Sequence, residues 1–189
     1  PHRISTSAAT ASASVGHGNG GAACAGSPSR CSTAPKLVWV KKHEPEIFAR
    51  VAKVLLPKAY LRYRLSGEFI EDMSDASGTL WLDVGKRAWS DEALTATGMS
   101  RAQMPRLVEG SQPAGNLHAD LVQRWGMVRA PVFAGGAGDN AAGAVALGAI
   151  NPGDAFVSLG TSGVLWATTA GFAPNPKAAV HAFCHCLPE

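Results

Sequence analysis

No block of lysines or arginines occurs anywhere in the 189 residues, and 17 basic against 14 acidic side chains leave a formal charge of only +3. Neither a nucleic-acid partner nor a membrane surface is indicated, since each is normally met by a concentrated basic patch. There is also no apolar run long enough to cross a bilayer. The N-terminus lacks the charged start and apolar segment of a secretory signal. Cysteine is scarce: Cys24, Cys31, Cys184 and Cys186 lie in two distant pairs, without the spread of a disulfide framework, which fits a reducing cytoplasm. Pro1 to Arg30 holds no acidic residue and, apart from Ile4 and Val15, no large aliphatic. Such a segment cannot bury enough apolar surface to offset its ordering entropy, so disorder is expected there.

Globular patterning begins at Thr33, in a chain long enough for one ordinary domain or pieces of two. Pro35, Leu37, Val38, Trp39 and Val40 predict an amphipathic helix stopped before Pro45. A second helix is expected over Glu46 to Lys53, then a short strand over Val54 to Leu56, then a third helix over Lys58 to Leu65 ended by Gly67. On that third helix Tyr60, Leu61 and Leu65 are assigned inward, and Arg62 and Arg64 to solvent, because buried charge is rare.

Further along, Ser74, Asp75, Ser77, Gly78 and Thr79 are turn or helix-start chemistry, and Leu80, Trp81, Leu82 and Val84 form a strand. For Asp72 and Asp75, turn capping is preferred over support of a site, since Asp readily bonds the backbone of its own turn. Ser90 to Thr97 reads as a capped helix ended by Gly98, Met99 to Gly115 as a Pro-interrupted connection, Leu117 to Trp125 as a helix, and Pro131 to Ala134 as a strand. Short helices alternating with strands predict an α/β domain.

The chemistry concentrates between Val132 and Thr169. A strand passes through Gly135, Gly136 and Gly138 to Asp139 and Asn140, which open a small-residue helix over Ala141 to Leu147. At that position Asp139 either caps the helix or faces a cleft. Two strands, Ala155 to Leu159 and Val164 to Thr168, are then joined by Gly160, Thr161, Ser162 and Gly163, a tip that offers amides and hydroxyls to an anion. The glycines around Gly136 are not a dinucleotide fingerprint, because no third glycine arrives in register. His181, Cys184, His185 and Cys186 cluster near the end, yet a structural zinc site draws on a second ligand pair that is missing; an apolar strand ending in ordinary cysteines is the preferred reading.

AGGAGDNAAGAVALGAI and SLGTSG, with TAPKLVWVKKH upstream, resemble segments of the FGGY family of carbohydrate kinases. The resemblance implies a ribonuclease H-like, actin-like ATPase architecture of two lobes around a cleft. Residues 33–150 would be the later part of the N-terminal lobe and residues 151–189 the start of the C-terminal lobe. Residues 1–32 would be a disordered or foreign leader, because Cys31 and Ser32 stand where the family carries glycine and an aromatic. It also implies that Asp139 is the general base, that Asp139 and Asn140 touch the sugar, and that Gly160, Thr161, Ser162 and Gly163 hold ATP phosphates. ATP and Mg²⁺ are the implied cofactors, with no residue of the chain assigned to metal.

The run DMSDASGTLWLDVGKRAW resembles the pentulose-specific members, so D-xylulose is the expected substrate. A homodimer is an assembly the resemblance leaves open for the complete protein. The family's N-terminal Asp-Gly-Thr phosphate loop and its later adenosine-binding glycine run do not occur here, so the chain is expected to be incomplete and inactive alone. A non-catalytic or weakly sugar-binding product, and another FGGY sugar kinase, stay open as alternatives.

Overall fold

The structure is a computed structural model that describes residues 32–160, 163–175 and 180–187. The disorder expected for Pro1 to Arg30, and Cys24 and Cys31 with it, lie outside the described residues. The chain opens with α1 (Thr33–His43) and α2 (Pro45–Ala49), each started at or near a proline whose missing N–H costs nothing in a first turn. The second helix is shorter than its apolar spacing predicts. Gln103 explains this: its side chain donates to the Val51 carbonyl at 3.0 Å, and its own carbonyl accepts from Val54 N at 2.9 Å. Backbone groups met from outside have no need of a helical ladder, and none is gained by a strand at Val54 to Leu56 either.

α3 (Pro57–Ser66) ends where expected, with Gly67 in the left-handed region at φ 77°. Its buried face differs from the expected one in part, although Arg64 is exposed as expected and Leu65 is half-buried. Tyr60 and Leu61 are 51% and 61% exposed, whereas Arg62 is only 5% exposed. The helix leads into β1 (Ile70–Asp72), then α4 (Met73–Ala76), a short 3₁₀ turn at Ser77–Thr79, and β2 (Leu82–Asp83), which pairs antiparallel with β3 (Ala88–Trp89). The predicted strand loses its first residues because Leu80 sits at φ 69°, a turn conformation.

α5 (Asp91–Thr97) forms as its chemistry dictates: the Ser90 hydroxyl accepts from Ala93 N at 3.2 Å, and Gly98 closes the helix at φ 78°. The expected irregular connection after Met99 holds more order than its prolines suggest. It contains a 3₁₀ turn with a capping box and β4 (Arg106–Val108), which pairs parallel to β1. β5 (Pro113–Asn116), α6 (Ala119–Arg124) and β6 (Val132–Ala134) follow, β5 and β6 pairing antiparallel across an irregular register. α7 (Asp139–Ala146) leads to the regular hairpin of β7 (Ala155–Leu159) and β8 (Gly163–Ala167).

The main apolar cluster gathers Ala34, Trp81, Leu82, Val84, Trp89, Leu94, Met99 and Met104, with Cys184 returning from the far end of the chain. A smaller cluster packs Ala141 and Ala144 of α7 against Trp166 of β8 and Cys186. α7 is therefore fixed on one side by apolar packing of small residues. Its first turn is left at an open surface.

Candidate active site

The loop that delivers α7 is held from three directions. Gly135 N donates to the Gln112 carbonyl and Gly136 N to the Gly110 carbonyl, both at 2.9 Å. The backbones run so close that a Cβ on Gly135 would overlap the Glu109 carbonyl oxygen, while Gly136 turns through φ 79°. From α3, the buried Arg62 guanidinium donates to the Gly135 carbonyl and, at 3.1 Å, to the Ile70 carbonyl. The third hold comes from α4, where the Ser74 hydroxyl accepts from Gly138 N at 2.9 Å.

Gly138, not Asp139, takes the cap position of α7, because Asp139 already has helical geometry. Asp139 is exposed, and its Oδ1 accepts from Asn140 N at 2.7 Å and from Asn140 Nδ2 at 3.3 Å. Both residues line a cavity of about 230 Å³ with Ser74, Asp75, Gly138 and Trp166. Of these neighbours, Ser74 reads from the sequence as turn chemistry, and for Asp75 turn capping is the preferred reading over support of a site. Trp166 and Phe183, which close the aromatic side of the cavity, carried no signal that would have singled them out.

The loop predicted to hold phosphates stands differently. Gly160 follows the last residue of β7 and Gly163 opens β8, and neither lines the cavity. Thr161 and Ser162 lie outside the described residues. The hairpin reaches the cavity through Trp166, three residues beyond Gly163.

Behind Asp75 stands a charged cluster. Asp72, with no exposed surface, caps α4 by accepting from Ser74 N and Asp75 N at 3.1 Å each. It also accepts from Lys58, whose ammonium lies 3.1 Å from Asp75 and 3.5 Å from Glu71. Burial works against the Lys58 charge, but the bond to Asp72 and the charges of Asp75 and Glu71 outweigh it and hold the ammonium above the usual lysine value. One cation facing three acids cannot balance them all. Glu71 is the least well served: it is 1% exposed, lies farthest from Lys58 of the three, and its Oε2 has no hydrogen-bond partner. Burial pushes its carboxyl up to about 7, with Lys58 opposing and Asp75 and Asp72 adding to the rise.

A folded-state value raised above the ordinary 4.5 means that the folded protein holds this proton more tightly than the unfolded chain does. The associated stabilisation is complete below about pH 4.5 and is lost as pH rises through about 7. The Glu71→Gln variant should therefore match the parent near pH 5 and exceed it at pH 8 by roughly 2–3 kcal/mol in chemical denaturation. Equal shifts at the two pH values would show that Glu71 does not carry the proton.

Glu71, Asp72 and Asp75 are also the acids closest to a metal-ligand arrangement among the described residues, with oxygens within 4.8 Å of one another. They do not fit a resident Mg²⁺, which wants near-octahedral oxygen donors. Lys58 already stands among them, and burial raises the Glu71 carboxyl to about 7, which works against the charged form a cation needs. The histidines and cysteines of HAFCHC make no such cluster. The Cys186 thiol turns to the Ala141 carbonyl at 3.4 Å while Cys184 packs in the main core, and burial pushes both thiols up, away from the thiolate a metal needs.

The sequence profile of the N-terminal domain of the FGGY family of carbohydrate kinases matches residues 27–146, and the chain belongs to that family. It is 59% identical over 157 residues to the xylulose kinase of Escherichia coli K12, a match covering 83% of this chain and 32% of the relative. The Lactococcus lactis xylulose kinase is 41% identical, over 82% of this chain and 31% of its own length. Among solved structures, a kinase from Brucella ovis described as a xyloylose kinase superposes with a TM-score of 0.80 at 60% identity, over 82% of this chain and 32% of that one. The chain thus spans about a third of the length of these relatives. Its fold is part of the ribonuclease H-like, actin-like architecture, and a Lactobacillus acidophilus xylulose kinase at 22% identity shares it with a TM-score of 0.73 over 81% of this chain. No helix among the described residues is long and apolar enough to cross a membrane.

Proposed function

We propose that this chain supplies the later part of the N-terminal lobe (residues 33–150) and the first hairpin of the C-terminal lobe (residues 151–189) of a cytoplasmic kinase that moves the γ-phosphoryl group of ATP onto D-xylulose. The observation that carries this reading is the opening of Asp139 and Asn140, at the start of α7, onto a cavity large enough for part of a small polar molecule. The xylulose kinases among its relatives support the choice of sugar.

In the proposed reaction Asp139 accepts the proton of the attacking sugar hydroxyl, and Asn140, which can both donate and accept, fixes a neighbouring hydroxyl. Phosphoryl transfer passes through a loose transition state in which that proton leaves late. For most of the reaction the carboxylate therefore has one task, to aim the hydroxyl in line with the phosphorus. Gly160, Thr161, Ser162 and Gly163 are proposed to hold phosphate oxygens through amides and hydroxyls. Mg²⁺ would arrive on the nucleotide phosphates, where it offsets their charge, and no side chain of this chain is assigned to it.

A coupled ADP-release assay over a panel of pentuloses and glycerol tests the assignment, run on a full-length kinase containing this segment and on the 189 residues alone. The full-length protein is expected to prefer D-xylulose, and the isolated chain to show no turnover. Preference for glycerol or for a different ketose would overturn the substrate, and turnover by the isolated chain would overturn the proposed division of labour.

A further inference from the structure

We infer that Ser74 is a positioning residue for Asp139, acting through a hydrogen-bond chain that starts at Lys58 and passes through Asp72 and the Ser74 hydroxyl to the Gly138 amide; this rests on reading Asp139 as the base. A hydroxyl has one proton to give and two lone pairs to accept with. Ser74 gives its proton to Asp72 Oδ1 at 2.5 Å, a short bond of the charge-assisted kind. Its lone pair is thereby turned toward Gly138 N, which donates to it at 2.9 Å across 64 residues of sequence. Asp72 cannot rotate away, since Lys58 and two backbone amides hold it and it has no exposed surface.

Gly138 is the residue through which the arrangement reaches the site. It has no side chain to anchor it, and one peptide separates its nitrogen from the Asp139 backbone. A rotation at Gly138 would therefore swing the exposed Asp139 carboxylate across the cavity. The hydroxyl of Ser74 has little else to do in the fold. The α4 cap is made by Asp72 accepting from the Ser74 and Asp75 amides, and those bonds survive loss of the hydroxyl. Ser74 is 3% exposed, so water is a poor substitute for the missing acceptor.

The test is steady-state kinetics on the full-length kinase containing this segment, comparing Ser74→Ala, Ser74→Thr and Asp139→Ala. Misplacing a catalytic group by about 1 Å costs on the order of 10²-fold, so Ser74→Ala is expected to lower kcat by about 10- to 100-fold. The pentulose KM should stay within about 2-fold, because Ser74 acts on the aim of the carboxylate and not on the sugar itself. Ser74→Thr, which keeps the hydroxyl, should recover most of the rate, and Asp139→Ala should be slower than wild type by about 10²- to 10⁴-fold.

Wild-type kcat in Ser74→Ala beside a severely slowed Asp139→Ala overturns the positioning role and leaves the assignment of Asp139 standing. A raised KM at unchanged kcat does the same, marking Ser74 as a substrate contact. A threonine variant no faster than the alanine variant also counts against it. Full activity in Asp139→Ala overturns the base assignment itself, and the positioning role with it. If Ser74→Ala does not fold, Ser74→Cys, close in size and a weaker acceptor, is judged by the same kcat and KM criteria.

Discussion

Replacing Asp139 with alanine in a full-length kinase that contains this segment is expected to slow pentulose phosphorylation by about 10²- to 10⁴-fold, the usual contribution of a positioned general base. Stability should change by no more than about 1 kcal/mol, the value of an acidic side chain in a first helical turn. The two effects separate because Asp139 is exposed and does not cap α7; that position belongs to Gly138. Asp139→Asn preserves the size of the side chain and its hydrogen bond from the Asn140 amide while removing the capacity to take a proton. It should be as slow as Asp139→Ala. Single-turnover rates for the two variants, with thermal unfolding on the same samples, make the comparison. An Asp139→Asn enzyme within about 10-fold of wild type would leave the carboxylate without a role as base.

Arg62→Ala is the second large effect, and it falls on stability. The guanidinium gives one hydrogen bond to the Ile70 carbonyl and one to the Gly135 carbonyl, and the residue is 5% exposed. Hydrogen bonds from a charged donor contribute about 1.5–3 kcal/mol each, and acceptors left buried without a donor lose their share in full. Roughly 3–5 kcal/mol is therefore expected from the substitution, a large part of the roughly 5–15 kcal/mol that holds a typical domain. Arg62→Lys keeps the charge but not the planar fork, so it reaches one carbonyl and should lose about half as much. Urea denaturation of both variants reads this out. A loss below about 1 kcal/mol for Arg62→Ala would mean that the two carbonyls find other donors when the arginine is removed.

Arg62 also shows why parts of the fold could be read from sequence and others could not. Caps and stops proved legible because their cause is local: Ser90 and Gly98 frame α5 within a few residues of each other. The inward face of α3 was misread because its cause is distant. Tyr60 and Leu61 are the more apolar choice, but Arg62 meets a carbonyl 73 residues away, and no window along α3 contains that acceptor. β4 was hidden for a similar reason. Three residues between Pro105 and Gly110 look like a connection until β1 lies beside them.

In the candidate site, the order of strand, glycine turn and helix around Asp139 was legible, since glycine marks close approach and small residues mark a packed helix. The contribution of the Asp72 to Asp75 run was half legible. Its capping chemistry is local, whereas the bond from Gly138 to Ser74 joins two segments that share no pattern.

The return of Cys184 to the main core has a consequence for how the molecule is made. Its amide donates to the Ser77 hydroxyl at 3.0 Å, closing a loop of 107 residues, and its side chain joins Trp81 and Trp89. During synthesis the tryptophan cluster must wait for Cys184 to clear the ribosome before its final wall is in place. Contacts this far apart are slow to find because the entropy of the intervening chain is lost before the contact is gained. A nascent chain that stalls ahead of Cys184 would thus present that apolar surface to chaperones.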